Sequence, residues 1–180
     1  MSALKMRQRS QRGFSLIEVL VVVAIIGIIS ALIIPNMLDS MRKAKQKRTM
    51  SDIHFVGTAW LSWLTDQVSA SAAGQQQTRM FDWSVLDHFD IEDLTELLVP
   101  EYASVVPEKD GWGFPYEFGF AGAHSLLPMG TRSAGVDGEF SATAYERGAF
   151  RSTNYDEDIV WAGGYFIRWP AGLAATAGDS

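Results

Sequence analysis

The order of polar and apolar positions first sets apart one long apolar run. From Phe14 to Pro35 the only ionisable side chain is Glu18. As an α-helix rising about 1.5 Å per residue, residues 14–34 would be about 31 Å long, which matches the hydrocarbon thickness of a bilayer. The pattern therefore predicts a transmembrane helix over 14–35, after a basic leader at 1–13.

A second pattern follows the apolar run. From residue 36, apolar side chains recur at steps of three and four, which predicts an amphipathic helical stem over 36–68. Gly57 interrupts it at a cost of about 1 kcal/mol relative to alanine. The stripe is formed by Met37, Met41, Ala44, Ile53, Val56, Trp60, Trp63 and Leu64.

The remaining chain predicts a globular head over 69–170 and a flexible tail over 171–180. Residues 68–79 have no periodicity and are typical of a connector. A second helix is expected between an N-cap at Asp90 and Pro100. Two alternating runs on either side of Gly163 and Gly164 predict a β-hairpin. Helices first and antiparallel strands last indicate an α+β fold, with the long helix packed on a small sheet.

Charge is segregated along the chain. Residues 1–48 carry 9 basic and 2 acidic side chains, a net charge of +7, and residues 49–180 carry 6 and 19, a net charge of −13. A head this acidic disfavours nucleic acid. The basic clusters flank the apolar run, so membrane contact is expected, with the leader cytoplasmic and the head outside. Because the chain has no cysteine, a bound metal is the alternative to disulfides as a stabiliser.

Glu18 needs a partner. A carboxylate inside the hydrocarbon costs about 2.5 to 3.5 kcal/mol unless it is paired or reaches the headgroups. The stretch "RGFSLIEVL" resembles the class III signal of the type IV pilin-like superfamily. The resemblance implies that prepilin peptidase cuts between Gly13 and Phe14 and methylates the new N-terminal Phe14, and that Glu18 then pairs with the amine of a neighbouring subunit.

Pro35 removes a backbone donor and disfavours helix at the preceding residue. It predicts a kink or a locally melted turn; the alternative is the end of the membrane helix. The amphipathic pattern downstream favours a helix that resumes.

Two loops gather oxygen ligands of the kind that Ca²⁺ prefers, "SAGVDGEF" and "NYDEDIVW". An EF-hand is excluded because its central glycine and its twelfth-position acid are missing. "KDGWGFPYEF" resembles the "DPWGNPY" segment of the major pseudopilins of type II secretion, and the two loops resemble that family's calcium loop. The resemblance implies ligands at Asp137 and Asp158, with backbone carbonyls near Ser133; local spacing adds Asp156.

This segment also departs from the family pattern. Gly111 and Phe114 replace the family's usual Pro and Asn, and a longer insert between Gly138 and Asn154 carries two arginines, Arg147 and Arg151, that would neutralise the carboxylates instead. The alternative to a calcium site is a set of turn aspartates that cap backbone groups.

An enzyme is disfavoured, since His54, His88 and His124 have no ligand spacing and no nucleophile motif occurs. The resemblance implies a structural subunit of a periplasmic pseudopilus for type II secretion. Its expected partners are further copies of itself, minor pseudopilins, prepilin peptidase, and an inner-membrane platform with its ATPase. The alternatives are a type IV pilus subunit for adhesion or motility, and a membrane-anchored periplasmic binding or enzymatic domain that keeps its leader.

Overall fold

A computed structural model describes residues 13–67, 80–121 and 128–172. The chain divides into two units, residues 1–40 and 41–180, and each is described by itself. The predicted leader up to residue 12, the connector at 68–79 and the tail from 173 lie outside the described residues.

The elements follow one another along the chain with these bounds. Helix α1 covers Leu16–Gln67, strand β1 Met80–Asp82, a 3-10 turn Trp83–Val85, strand β2 Asp87–Phe89, helix α2 Ile91–Leu98, strand β3 Glu117–Phe120, strand β4 Met129–Ser133, strand β5 Ala144–Glu146, strand β6 Gly148–Phe150, strand β7 Ile159–Ala162 and strand β8 Tyr165–Pro170.

In the first unit, α1 is an apolar helix whose large side chains are exposed from Phe14 to Leu38. By length and composition it is the one helix, among the described residues, that could cross a membrane. The helix continues through Pro35 without a melted turn. Downstream of Pro35, the Ser40 hydroxyl donates to the Asn36 carbonyl at 2.9 Å. The predicted resumption of the helix is therefore seen, and a kink at Pro35 stays a prediction.

In the second unit, α1 buries one face against the head. This face includes Gly57, where an added Cβ would lie 2.7 Å from the ring of Trp161, itself fully buried. Glycine is thus used inside the helix because the indole packs directly on its backbone. The buried residues of this face are Gln46, Thr49, Met50, Ile53, Val56, Gly57, Ala59, Trp60 and Leu64.

The main sheet has six strands in the order β2-β3-β4-β7-β8-β6, and β1 pairs with β5 in a separate two-stranded sheet. The α+β class is confirmed. The hairpin is also confirmed: β7 and β8 are antiparallel, and Gly163 and Gly164 have φ of +56° and +102°, as the predicted turn requires. The neighbouring strands of the main sheet are antiparallel, as predicted, except that β6 runs parallel to β8. Residues 151–164, which contain β7, form the connection that a parallel pair of strands needs.

Strand β7 lies in the middle of the core and is covered on both faces. Ile159 and Trp161 pack towards α1 and α2, whereas Val160 and Ala162 pack with β1 and the 3-10 turn. All of its residues are buried. This explains an uninterrupted apolar run in a strand.

Helix α2 starts after Asp90, as predicted, but Asp90 makes no side-chain cap. Its Oδ1 lies 3.2 Å from Nε2 of His88 instead. The nearby imidazole, two residues earlier, competes with the helix N–H groups for the carboxylate.

Candidate functional site

The predicted processing segment is exposed at the start of α1. Gly13, Phe14 and Ser15 precede the helix, and Phe14 is 83% exposed. The backbone N–H of Glu18 donates to the Ser15 carbonyl at 3.1 Å. Within the described part of the chain, the Glu18 carboxylate has no hydrogen bond or ion pair. Packing this apolar helix among other helices would bury the Glu18 carboxylate. That burial is unfavourable unless a neighbouring helix places a cation next to the carboxylate.

In the head, the carboxylate of Asp110 organises the "DGWGFPY" turn. Its Oδ1 accepts the backbone N–H groups of Trp112, Gly113 and Phe114 at 2.9, 2.9 and 3.0 Å. Its Oδ2 accepts the Ser133 hydroxyl at 2.7 Å. Asp110 is 3% exposed. The sequence reasoning missed this residue, although an aspartate just before a glycine-rich turn is a known signal for such bonding.

The two departures from the family pattern have a structural reason. The Gly111 N–H donates to Thr49 Oγ1 at 2.9 Å, and an added Cβ would lie 2.4 Å from the Lys45 carbonyl oxygen. Proline would lose the donor and clash with α1. Phe114 packs on Gly138, where an added Cβ would lie 2.5 Å from its ring and φ is +73°.

The structure brings the two acidic loops into contact. The Val136 N–H donates to the Tyr155 carbonyl at 2.9 Å. A Cβ added at Gly135 would lie 2.6 Å from that oxygen and 3.2 Å from the Glu157 carbonyl oxygen. One loop carries Asp137 and the other Asp156, and both are exposed.

Asp137 caps the backbone of its own turn. Its Oδ1 accepts the Glu139 N–H at 3.1 Å, which is the role that the alternative to a calcium site gives it. Ser133 lies at the end of β4 and uses its hydroxyl on Asp110.

Asp158 differs from the other two aspartates because it is 1% exposed. Its Oδ2 accepts the Ser141 N–H at 3.0 Å, the Ser141 hydroxyl at 2.9 Å and the Tyr145 hydroxyl at 2.7 Å. Its Oδ1 is buried and has no hydrogen-bond partner among the described residues. Burial raises the pKa of Asp158 by more than the bonds from Tyr145 and Ser141 lower it.

The cation beside this cluster is Arg132. It binds Glu117 Oε2 through Nε and Nη2 at 2.9 and 2.7 Å, and Nη1 donates to Tyr145 Oη at 3.0 Å. Its guanidinium lies 4.3 Å from the centre of the Trp83 ring and 3.9 Å from that of Phe140. Arg132 was not predicted, because its partners lie far away in the sequence.

The two arginines of the insert, which were the alternative partners for the carboxylates of the acidic loops, lie next to aromatic rings or in solvent. The guanidinium of Arg147 lies 5.2 Å from the Tyr165 ring centre and 5.5 Å from that of Trp169. Arg151 is exposed. The insert joins the main sheet through β6, which pairs with β8, and Tyr145 of the insert accepts the bond from Arg132 of β4.

No three acidic or histidine side chains form a metal-binding group in residues 13–67, 80–121 and 128–172. A cation between the loops would therefore depend on the unpartnered Oδ1 of Asp158, on the exposed carboxylates of Asp137 and Asp156, and on backbone carbonyls.

An apolar N-terminal helix with a carboxylate in its first turn, followed by an α+β head, defines a pilin-like subunit. The family profile described as "Prokaryotic N-terminal methylation motif" matches residues 8–34. Type II secretion system core protein G of Escherichia coli K12 is 31% identical over 132 residues, which cover 72% of this chain and 84% of that protein. The chain belongs to the family of type II secretion system core protein G.

Two other relatives carry the same description. Proteins of the same description from Klebsiella michiganensis and Pseudomonas aeruginosa are each 28% identical, over 141 and 140 residues, and each alignment covers 74% of this chain and 89% of the relative. No solved structure matches the chain.

Proposed function

We propose that this chain is a structural subunit that polymerises into a periplasmic pseudopilus for type II protein secretion. The observation that carries the proposal is the segment after Gly13, an exposed apolar helix that lies within the match to the N-terminal methylation motif. Its Glu18 has no partner among the residues that the structure describes. The role is mechanical rather than catalytic.

Processing would turn this segment into an assembly device. Cleavage between Gly13 and Phe14 by prepilin peptidase creates an α-amino group, and the same enzyme methylates it. Glu18 lies about one helical turn further along. In a bundle of such helices, the amine of one subunit and Glu18 of its neighbour satisfy each other, which offsets the cost of a lone charge in an apolar surrounding.

The proposed location follows from the same helix. Before assembly the subunit spans the inner membrane once, with the head in the periplasm. The inner-membrane platform and its ATPase would then add it to the filament, together with minor pseudopilins.

Mass spectrometry of the mature protein tests the processing. We expect an N-terminus at Phe14 with one added methyl group. An N-terminus at Met1, or one beyond residue 30, would contradict the proposal and favour an anchored periplasmic domain.

The ion pair is tested by Glu18→Ala, with Glu18→Asp as the matched control that keeps the charge. We expect the alanine variant to insert into the membrane but to give few filaments, and the aspartate variant to recover part of the yield. Normal filaments from Glu18→Ala would refute the pairing.

A type IV pilus subunit is the second candidate, favoured only by the shared N-terminal motif. The names of the relatives favour secretion. Deleting the gene and scoring secreted proteins against surface pili separates the two: a loss of pili with normal secretion would support the second candidate.

We also propose that Ca²⁺ binds between the two acidic loops of the head. The proposal is supported by the contact between the loops and by the buried Oδ1 of Asp158, which has no partner in the part of the chain that the structure describes. Asp137, Asp156 and backbone carbonyls near Ser133 would complete the ligands. The ion would neutralise these carboxylates and staple a head that has no disulfide.

Thermal unfolding with and without chelator tests the calcium site. Binding at a hundredfold excess over the dissociation constant would stabilise the head by about 2.7 kcal/mol. Asp137→Asn should abolish this gain, whereas Glu139→Gln, at an exposed acid in the same loop, should keep it. If the melting temperature of the wild-type protein is the same with and without chelator, the calcium site is refuted. The filament proposal does not depend on this result.

A further inference from the structure

A shallow groove of about 540 Å³ runs beside α2. The side chains that line it are acidic or apolar: Glu92, Glu96 and Glu108 carry the charge, and Ile91 and Val106 supply apolar surface next to Thr95. All three glutamates are exposed. A groove of this kind suits lysine and arginine, whose long aliphatic stems cover apolar surface while the charged ends reach carboxylates.

The same chain carries a segment with the complementary charge. The stretch Met41–Arg48 of α1, called here the basic segment, contains five cations and no acid. Lys45 and Lys47 are both exposed. Arg48 has an acidic neighbour, since its Nε lies 3.5 Å from Asp52 Oδ2, but its side chain is 67% exposed.

We propose that the groove beside α2 binds the basic segment of a second copy of this chain. The inference rests on the proposed function, because it assumes that copies meet in a filament. Charge complementarity supports it. Glu92 and Glu96 stand one helical turn apart, so they present their carboxylates on one side of α2 to an approaching helix. Such surface attraction gives direction and partner choice more than raw affinity.

The absence of native cysteine makes a direct test possible in the full-length chain. Two tagged copies are expressed together with the rest of the secretion system, one with Lys47→Cys and the other with Glu96→Cys, and then oxidised. We expect a mixed disulfide dimer in about tenfold excess over a control pair with Glu139→Cys in place of Glu96→Cys, since a disulfide needs Cβ atoms about 3.5 to 4.5 Å apart.

Charge reversal gives a second readout. The paired changes Lys45→Glu and Lys47→Glu, or Glu92→Lys and Glu96→Lys, should each lower the yield of sedimented filaments at least about threefold, since a single exposed ion pair is worth up to about fivefold in an equilibrium. Both sets combined in one chain should restore the yield. The difference between wild type and single-set variants should shrink when added salt shortens the Debye length.

The outcomes separate this proposal from the proposed function. Filaments without the mixed disulfide, and without rescue by the combined reversals, would overturn the docking and leave the filament role intact. A loss of yield from the lysine reversals that the glutamate reversals do not rescue would also overturn the docking, and is the result expected if the basic segment contacts phospholipid headgroups instead of the groove. Failure of wild-type chains to form filaments would instead contradict the proposed function.

Discussion

Replacing Asp110 by alanine tests the hydrogen-bond network that shapes the head. The carboxylate accepts four bonds, three from the backbone of the following turn and one from Ser133. A bond to a charged group contributes about 1.5 to 3 kcal/mol. The donors at Trp112 and Gly113 belong to half-buried and exposed residues, so water would replace part of the loss. We expect the free energy of unfolding to fall by about 4 kcal/mol.

That loss is a large share of the 5 to 15 kcal/mol that stabilises a typical domain. In urea unfolding and in thermal scans of the purified full-length chain in detergent, it should appear as a lower midpoint and a melting temperature about 10 °C lower. Asp137→Ala, measured in chelator, is the matched control: it removes one exposed bond and should cost under about 1 kcal/mol. Equal losses for the two variants, or a loss below about 1 kcal/mol for Asp110→Ala, would refute the reasoning.

Three further predictions concern the packing of the second unit, two from substitutions and one from pH. Gly57→Ala should destabilise by about 1 to 3 kcal/mol, despite alanine's better helix propensity, because the added methyl overlaps Trp161; a stabilised variant in urea unfolding would contradict this. Gly111→Pro should be destabilised further than Gly111→Ala, because only proline also removes the donor to Thr49; equal midpoints would speak against that bond. Burial, aided by the nearby Asp52 carboxylate, raises the pKa of Tyr116 far above its ordinary value of 10.0. Folding therefore favours the neutral phenol, so this stabilisation is complete below pH 10 and is lost progressively as the pH rises above it. The difference in tyrosinate absorbance between wild type and Tyr116→Phe should show Tyr116 ionising only with alkaline unfolding.

Local signals were enough for the elements whose bonds are local. The apolar stripe of α1 from Ile53 to Leu64, the α2 boundaries and the β7–β8 hairpin each depend on a periodicity or on a turn dipeptide, and each is present. Met37, Met41 and Ala44, which the same periodicity placed in the stripe, are exposed. The N-terminal motif was equally readable, because its residues are contiguous. Asp90 shows the limit: its position was predicted correctly, but a histidine two residues away takes its carboxylate.

What the sequence did not reveal depends on contacts between distant residues. The Gly111 donor is 62 residues from its acceptor Thr49, and Arg132 meets Glu117 across neighbouring strands. The β1–β5 pair joins strands of only three residues each, too short to show an alternating pattern. No local pattern predicts such partners, because register and tertiary packing select them.

The contact between Gly111 and α1 fixes the head to the helix in both rotation and translation. Gly111 touches the Lys45 carbonyl and bonds the Thr49 hydroxyl, two groups that are one turn apart on the same face. Moving α1 by a single residue would shift these groups by about 1.5 Å and turn them by about 100°. Neither the bond nor the close approach would survive that change. A force along this part of α1 would therefore act on the "DGWGFPY" turn through the Gly111 contact. From the turn it would reach strand β4 through the hydrogen bond between Asp110 and Ser133.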